Sequence, residues 1–207
     1  IGMLSSLAQA RVIRLCMDCI SSLGAIPVDL RGVHLATGVS GKAFGAPPGI
    51  SLVFHNEDIR PSFALPRYLD LGLYAETPGA PFTQSSNLLR ALRAAVVGIE
   101  KSHLPSPAVT QDAVWLRQQL RASGFEILAD DEHTSPAVTT IALPYDVSSE
   151  ELGIRLEEDG FATSYRSEYL RKRNWIQVCL MGNYRRDCLG PLVSALTDLA
   201  ERRPLAS

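Results

Sequence analysis

Apolar positions along the chain fall into two rhythms, and the change between them divides it. Up to about residue 85 they come in short runs broken by Gly, Pro and Ser. Val12–Met17 and Ile50–Phe54 read as buried strands of this kind, partly β-branched and without helical spacing. Beyond them the spacing becomes helical. Leu88, Leu92, Ala95 and Ile99 form one stripe, and Val109, Ala113, Leu116 and Leu120 form a second, opened by Ser106-Pro107 and closed by Gly124. Strands are expected at about 125–128 and at 138–143, where β-branched residues gather. Ser148-x-x-Glu151 is a capping box for a helix that stops near Gly160. Strands near 161–165 and 175–180 follow, and Leu189, Leu192, Leu196 and Leu199 mark a closing helix. The pattern predicts an α/β chain in two parts. Residues 1–105 hold short strands and loops of a mostly parallel sheet, and 106–207 make a small α+β domain.

The run LCMDCISSLG, Leu15–Gly24, poses the first chemical question, because Cys16 and Cys19 form a C-x-x-C. Metal and redox pairs of this spacing need a turn or helix start that brings the sulfurs together. On a strand, residues three apart face opposite sides, so both thiols are expected to be core packing. Cys179 and Cys188 supply no second C-x-x-C, and His34, His55, His103 and His133 are scattered, so no metal site is expected. His34 is the histidine nearest Lys42 in sequence. Asp18 stands where the strand stops and a turn begins, the place where open α/β sheets bind ligands, although an acid there is also a common turn former.

The second candidate is Lys42, in the Gly/Ser-rich stretch Ala36–Gly49. A phosphate-binding P-loop is excluded: Ala36 replaces its first glycine, and Ala43 replaces the hydroxyl that would hold Mg²⁺. A lysine in such a loop fits covalent carbonyl chemistry, with Asp18 as an acid that could keep a pyridine nitrogen protonated. An ordinary solvated loop lysine fits the spacing equally well.

Two motifs carry a resemblance that chooses between these. DCISSLGAIPVD (Asp18–Asp29) followed by SGKAFGAPPG (Ser40–Gly49) resembles the core of the class V aminotransferases, fold-type I pyridoxal phosphate enzymes that include serine–pyruvate and alanine–glyoxylate aminotransferases. YAETPGAPFTQ (Tyr74–Gln84) and WIQVCLMG (Trp175–Gly182) extend it over most of the chain. The resemblance implies pyridoxal 5'-phosphate bound to Lys42 as a Schiff base, with Asp18 on the pyridinium nitrogen and Ile20 against the ring face. It places Ser40 within reach of the phosphate, and Thr83 on the phosphate of the neighbouring subunit in a homodimer with shared sites. Tyr74 and Thr77 are a second placement of that last motif. The activity implied is transfer of an amino group from an amino acid or aminophosphonate to a 2-oxo acid or aldehyde.

The chain also departs from the family. Family members are about twice this length, and their amino-terminal half carries a Gly-rich phosphate cradle and an aromatic that stacks on the ring. This chain opens on Ile1 and is therefore expected to be a carboxyl-terminal part, with the helix before the first strand shortened between Gly2 and Val12. The arginine that binds the substrate carboxylate falls at Gln177, and glutamine cannot form its bidentate charged pair. Arg166, Arg171, Lys172, Arg173, Arg185 and Arg186 lie near by; Arg166 is the candidate substitute, and a solvated basic face is the alternative for most of them. Gly41 stands where a cysteine desulfurase carries histidine, which argues against desulfuration. A folded, dimerising module without chemistry is the competing expectation.

Composition narrows the partners. An apolar fraction of 46% and a charged fraction of 20% are ordinary for a globular protein. The net charge of −2 argues against nucleic acid or anionic membranes as partners. No apolar run approaches a membrane span and no signal peptide is visible. Four cysteines do not make a disulfide framework, so a cytoplasmic protein acting on a small molecule is expected.

Overall fold

The computed structural model describes residues 2–101 and 106–201. The chain divides into two compact units, Ile1–Ser102 and His103–Ser207.

The first unit begins with helix α1 (Gly2–Ala10) and strand β1 (Cys16–Asp18). Strands β2 (Leu35–Val39) and β3 (Ser51–His55), the short helix α2 (Leu71–Glu76) and the longer α3 (Ser86–Glu100) follow. The three strands pair in the order β1-β2-β3. β1 runs parallel to β2, with Cys16 opposite Leu35 and Asp18 opposite Thr37. β3 returns antiparallel, with Val39 opposite Ser51. The connections account for this: residues 19–34 are long enough for a parallel crossover, whereas 40–50 only turn the chain back. A mostly parallel sheet was expected; the three strands present make one pairing of each kind.

The run expected as a strand over 12–17 is shorter in the structure. Val12 and Ile13 are 94% and 58% exposed, and Val12 adopts φ +56° in the turn after α1. The strand therefore begins only at Cys16. Cys19 is buried but Cys16 is exposed, which corrects the expectation that both thiols are core packing.

The core of this unit is small. Cys19, Val33 and Ala36 are its buried cluster, flanked by the partly buried Leu15, Met17, Leu23, Val28 and Leu30. The stripe of α3 is only half-buried, and no residue of that helix is fully buried.

The second unit runs α4 (Pro107–Ala122), β4 (Glu126–Ile127), β5 (Val138–Ala142), α5 (Ser149–Glu158), α6 (Glu168–Arg173), β6 (Trp175–Cys179) and α7 (Leu189–Glu201). Its sheet, in the order β4-β5-β6, is antiparallel throughout. Leu116 and Leu120 of α4, Ile141 of β5, Leu156 of α5, Ile176 of β6 and Leu196 of α7 meet in a continuous core, each with no accessible surface. The helices end where the sequence signals place them. Ser148 Oγ accepts from Glu151 N at 3.3 Å, and Gly124 (φ +84°) follows the end of α4.

Two features of this unit depart from the pattern. The strand expected at 161–165 is a single bridge, Ser164 to Gln177. Helix α6 was not anticipated, because its sequence EYLRKR has no apolar stripe and is defined by its ends. Ser167 caps it by accepting from Leu170 N, and Asn174 closes it in the left-handed conformation at φ +56°.

Candidate active site

The carboxyl ends of β1 and β2 bring the two leading candidates to one edge of the sheet. Asp18 is the last residue of β1, and the parallel ladder continues one step beyond it, with Cys19 N donating to Thr37 O at 3.0 Å. Asp18 Oδ1 accepts from Ile20 N at 2.9 Å. That bond turns the chain out of the strand and leaves Ile20 half-buried beside the acid. Among the described residues, Asp18 Oδ2 has no partner.

Lys42 lies three residues past the end of β2, in the loop that returns to β3. Ser40 N donates to Ile50 O at 3.0 Å, Ala46 N to Ser40 O at 3.1 Å and Gly45 N to Lys42 O at 2.8 Å. The lysine is thus held at the tip of a backbone-bonded loop, with its side chain exposed. Its Nζ donates to Ser21 Oγ at 2.7 Å, across 21 residues of sequence. Ser21 belongs to the turn after β1, tied by Ser22 N and Leu23 N to Cys19 O at 3.2 and 2.9 Å.

Ser40, expected within reach of a phosphate, is built into the closure of the lysine loop. It is 0% exposed; its hydroxyl donates to Pro47 O at 2.8 Å and accepts from Ile50 N at 3.3 Å. The donor hydrogen and one acceptor position of the hydroxyl are used in closing the loop, so Ser40 supports Lys42.

Thr83 is exposed on the extended stretch that leads to Ser85, the N-cap of α3. That helix starts close to the lysine loop, since a Cβ on Gly49 would lie 2.9 Å from Leu88 Cδ1. The alternative placement is weakened by geometry. Thr77 Oγ1 donates to Leu73 O at 2.6 Å, and Tyr74 OH donates to Tyr68 O at 3.3 Å. Both hydroxyls are already engaged in the end of α2 and the segment before it. His34 precedes β2, with Nδ1 3.1 Å from Glu57 Oε2 but not in hydrogen-bonding geometry, a strand's length from Lys42.

The remaining candidates belong to the second unit. Gln177, on β6, donates from Nε2 to Thr140 Oγ1 of the neighbouring β5 at 3.0 Å, while its backbone pairs with Ser164. The arginine named as a substitute is committed locally. Arg166 Nη2 meets Glu157 Oε2 at 2.5 Å and its Nε donates to Tyr165 OH at 3.1 Å; these bonds hold its guanidinium even more firmly protonated than usual.

The other basic residues are paired as well: Arg171 with Glu150, Lys172 with Glu168, Arg185 with Asp187 and Arg186 with Asp112. Arg173 instead lies 4.0 Å from the ring centroid of Tyr169 and 5.4 Å from that of Trp175. Asp112, only 3% exposed, also accepts from Tyr184 OH at 2.8 Å. Burial, reinforced by this carboxylate, pushes the Tyr184 phenol far above its usual range. Asp112 thereby pins the loop after β6 to α4.

Ser21 and Asp112 carry contacts that local sequence did not suggest. Their partners stand 21 and 72 residues away. Among the described residues no group of three or more His, Cys, Asp or Glu could hold a metal ion, and no helix is long and apolar enough to cross a membrane.

Comparison with known proteins finds relatives in fold and in sequence. A crystal structure of alanine–glyoxylate aminotransferase from Nostoc sp. superposes with a TM-score of 0.81 over 95% of this chain and 56% of that chain, at 25% identity. In sequence and in fold, the chain resembles the class V aminotransferases. The soluble hydrogenase 42 kDa subunit of Anabaena cylindrica is 32% identical over 139 residues, covering 62% of this chain and 36% of that protein. The 2-aminoethylphosphonate–pyruvate transaminase of Paraburkholderia phymatum is 29% identical over 144 residues, covering 64% of this chain and 39% of that protein. The chain thus spans well under half the length of these curated relatives. No protein-family model matches it.

Proposed function

We propose that this chain is the carboxyl-terminal part of a pyridoxal 5'-phosphate-dependent aminotransferase of the class V type. Residues 1–105 would be part of its cofactor-binding domain and 106–207 its small domain. One observation carries the proposal: Asp18 and Lys42 stand at the carboxyl ends of two paired parallel strands, the acid with one oxygen unpartnered and the amine exposed.

The residues present fit the cofactor. Lys42 Nζ would hold it covalently, Asp18 Oδ2 would accept a hydrogen bond from its protonated ring nitrogen and keep that nitrogen charged, and Ile20 would lie against the ring. When bound, pyridoxal phosphate supplies an electron sink that lets a proton leave the carbon bearing the amine. Lys42 Nζ, once released from the cofactor, is the base that takes that proton and returns it. Ser40 keeps the lysine loop closed. Thr83 would contact the phosphate held by the second copy in a homodimer.

The substrates fall in the class of an amino acid or aminophosphonate donor and a 2-oxo acid or aldehyde acceptor. The phosphonate option is supported by the name of the Paraburkholderia relative and by a neutral Gln177 where a carboxylate would otherwise meet arginine. A cytoplasmic setting belongs to the same proposal. A second reading, a folded and dimerising module without chemistry, is favoured by Gln177 and by the thin core of the first unit.

An absorption spectrum of the chain with added pyridoxal phosphate, before and after borohydride, separates the two. The enzyme reading expects a reducible band and a stable adduct whose mass maps to Lys42, both lost in Lys42→Ala. An adduct that survives that substitution refutes the assignment of Lys42. No band in the native chain favours the second reading.

A further inference from the structure

We propose that Ser21 is a positioning residue for Lys42, holding its amine over the end of β1 where Asp18 stands. This rests on the assignment of Lys42 above, but it arises from a different feature, the placement of the turn after β1.

Two close approaches fix that turn against the lysine loop. A Cβ on Gly24, which sits at φ +88°, would lie 3.2 Å from Phe44 N and 3.3 Å from Ala43 C. A Cβ on Gly38 would lie 2.6 Å from Leu23 Cδ2. Residues 19–26 therefore press onto the end of β2 and onto the backbone directly after Lys42, in a way only glycine permits at these two points. The turn packs directly on the loop, and Ser21 meets the lysine amine from across the gap.

Its neighbour has another role. Ser22 Oγ donates back to Cys19 O at 3.4 Å and stabilises the turn itself, whereas Ser21 Oγ meets Lys42 Nζ at 2.7 Å. Among the described residues Ser21 is the partner of that amine. A lysine has four rotatable bonds, and an exposed one with no partner samples them freely. A single hydrogen bond to a charged amine confines it, and removing such a bond reduces the confined population about fivefold or more. Among the described residues the Ser21 hydroxyl makes no other hydrogen bond, so it can release the amine during turnover and receive it again.

The chain contains three lysines, Lys42, Lys101 and Lys172, which makes the test direct. Reductive methylation with ¹³C-formaldehyde places a methyl probe on each amine and leaves an N–H to donate. The Lys42 signal, assigned with Lys42→Arg, is expected to relax faster than that of Lys101 in the chain without cofactor. Ser21→Ala should narrow it to the Lys101 value, Ser21→Thr should preserve it, and Ser22→Ala should leave it unchanged. In the same variants left unmethylated, borohydride-trapped adduct with pyridoxal phosphate should form about fivefold more slowly in Ser21→Ala, with Ser21→Thr restoring the rate. An unaltered Lys42 signal in Ser21→Ala overturns the inference, whatever the cofactor does. A methyl response in a chain that forms no adduct refutes the cofactor assignment and supports the hold of Ser21 on the amine.

Discussion

Replacing Asn174 tests how β6, the strand that bears Gln177, is set in place. Asn174 ends α6 at φ +56°, and its side chain works on both sides. Oδ1 accepts from Ser149 N, in the first turn of α5, at 2.8 Å. Nδ2 donates to Pro144 O and Val147 O, each at 2.8 Å, with Leu143 O farther off at 3.3 Å. The amide has two hydrogens, so two of the three carbonyls are well served, giving three good hydrogen bonds in all. At about 1 kcal/mol net for each, their loss costs about 3 kcal/mol. Alanine also pays about 1 kcal/mol for the left-handed backbone, which glycine does not. Asn174→Ala is therefore expected to destabilise the second unit by about 3–4 kcal/mol, and Asn174→Gly by about 1 kcal/mol less.

Urea unfolding followed by tryptophan emission is the assay, because both tryptophans, Trp115 and Trp175, lie in this unit. With a slope of about 1.5 kcal/mol per molar, the alanine midpoint falls by about 2 M. A fall under about 0.5 M would show that water replaces these bonds at no cost and would refute the reasoning. Equal losses for Ala and Gly would remove the backbone contribution alone.

Three further outcomes follow from single contacts. Gly153→Ala would put a Cβ 2.2 Å from Tyr165 Cδ1, against a ring that is 1% exposed in the core. A loss of about 1–3 kcal/mol is expected by the same urea assay, and an unchanged midpoint would mean that the Tyr165 ring moves aside freely. Asp29, beside Arg31, is held down to a pKa of about 2, chiefly by the arginine side chain and then by its backbone N–H. Its folded value is depressed, so the interaction is complete above the ordinary value near 3.8 and is lost as pH falls through about 2. Carboxyl NMR titration should show that low midpoint and its rise in Arg31→Gln; an ordinary midpoint in the native chain would remove the pairing. Lys42→Ala should abolish the borohydride-stable adduct by intact mass.

Most of the elements follow from local chemistry that the sequence itself determines. Helix α4 runs from Pro107 to just before Gly124, and α5 starts at the Ser148 cap, because a cap or a stop acts within one turn of the residue that makes it. The position of Asp18 at a strand end and of Lys42 in a Gly/Ser loop is equally local. The start of β1 was misread for a related reason. Apolar periodicity records what can be buried, and Val12 and Ile13 stay largely exposed, so the strand waits until Cys16. Helix α6 escaped notice because its ends, not its face, define it.

What each polar group does was decided by tertiary structure. Ser40 looked available to a phosphate until Pro47 and Ile50 took its hydroxyl. Arg166 looked free until Glu157 and Tyr165 were folded beside it. Ser21 was one of two adjacent serines until the close approaches at Gly24 and Gly38 turned it toward Lys42. The physical reason is range. Periodicity and caps act over three or four residues, whereas a hydrogen bond between residues 21 or 72 apart exists only after the chain has packed, so the sequence carries no local mark of it.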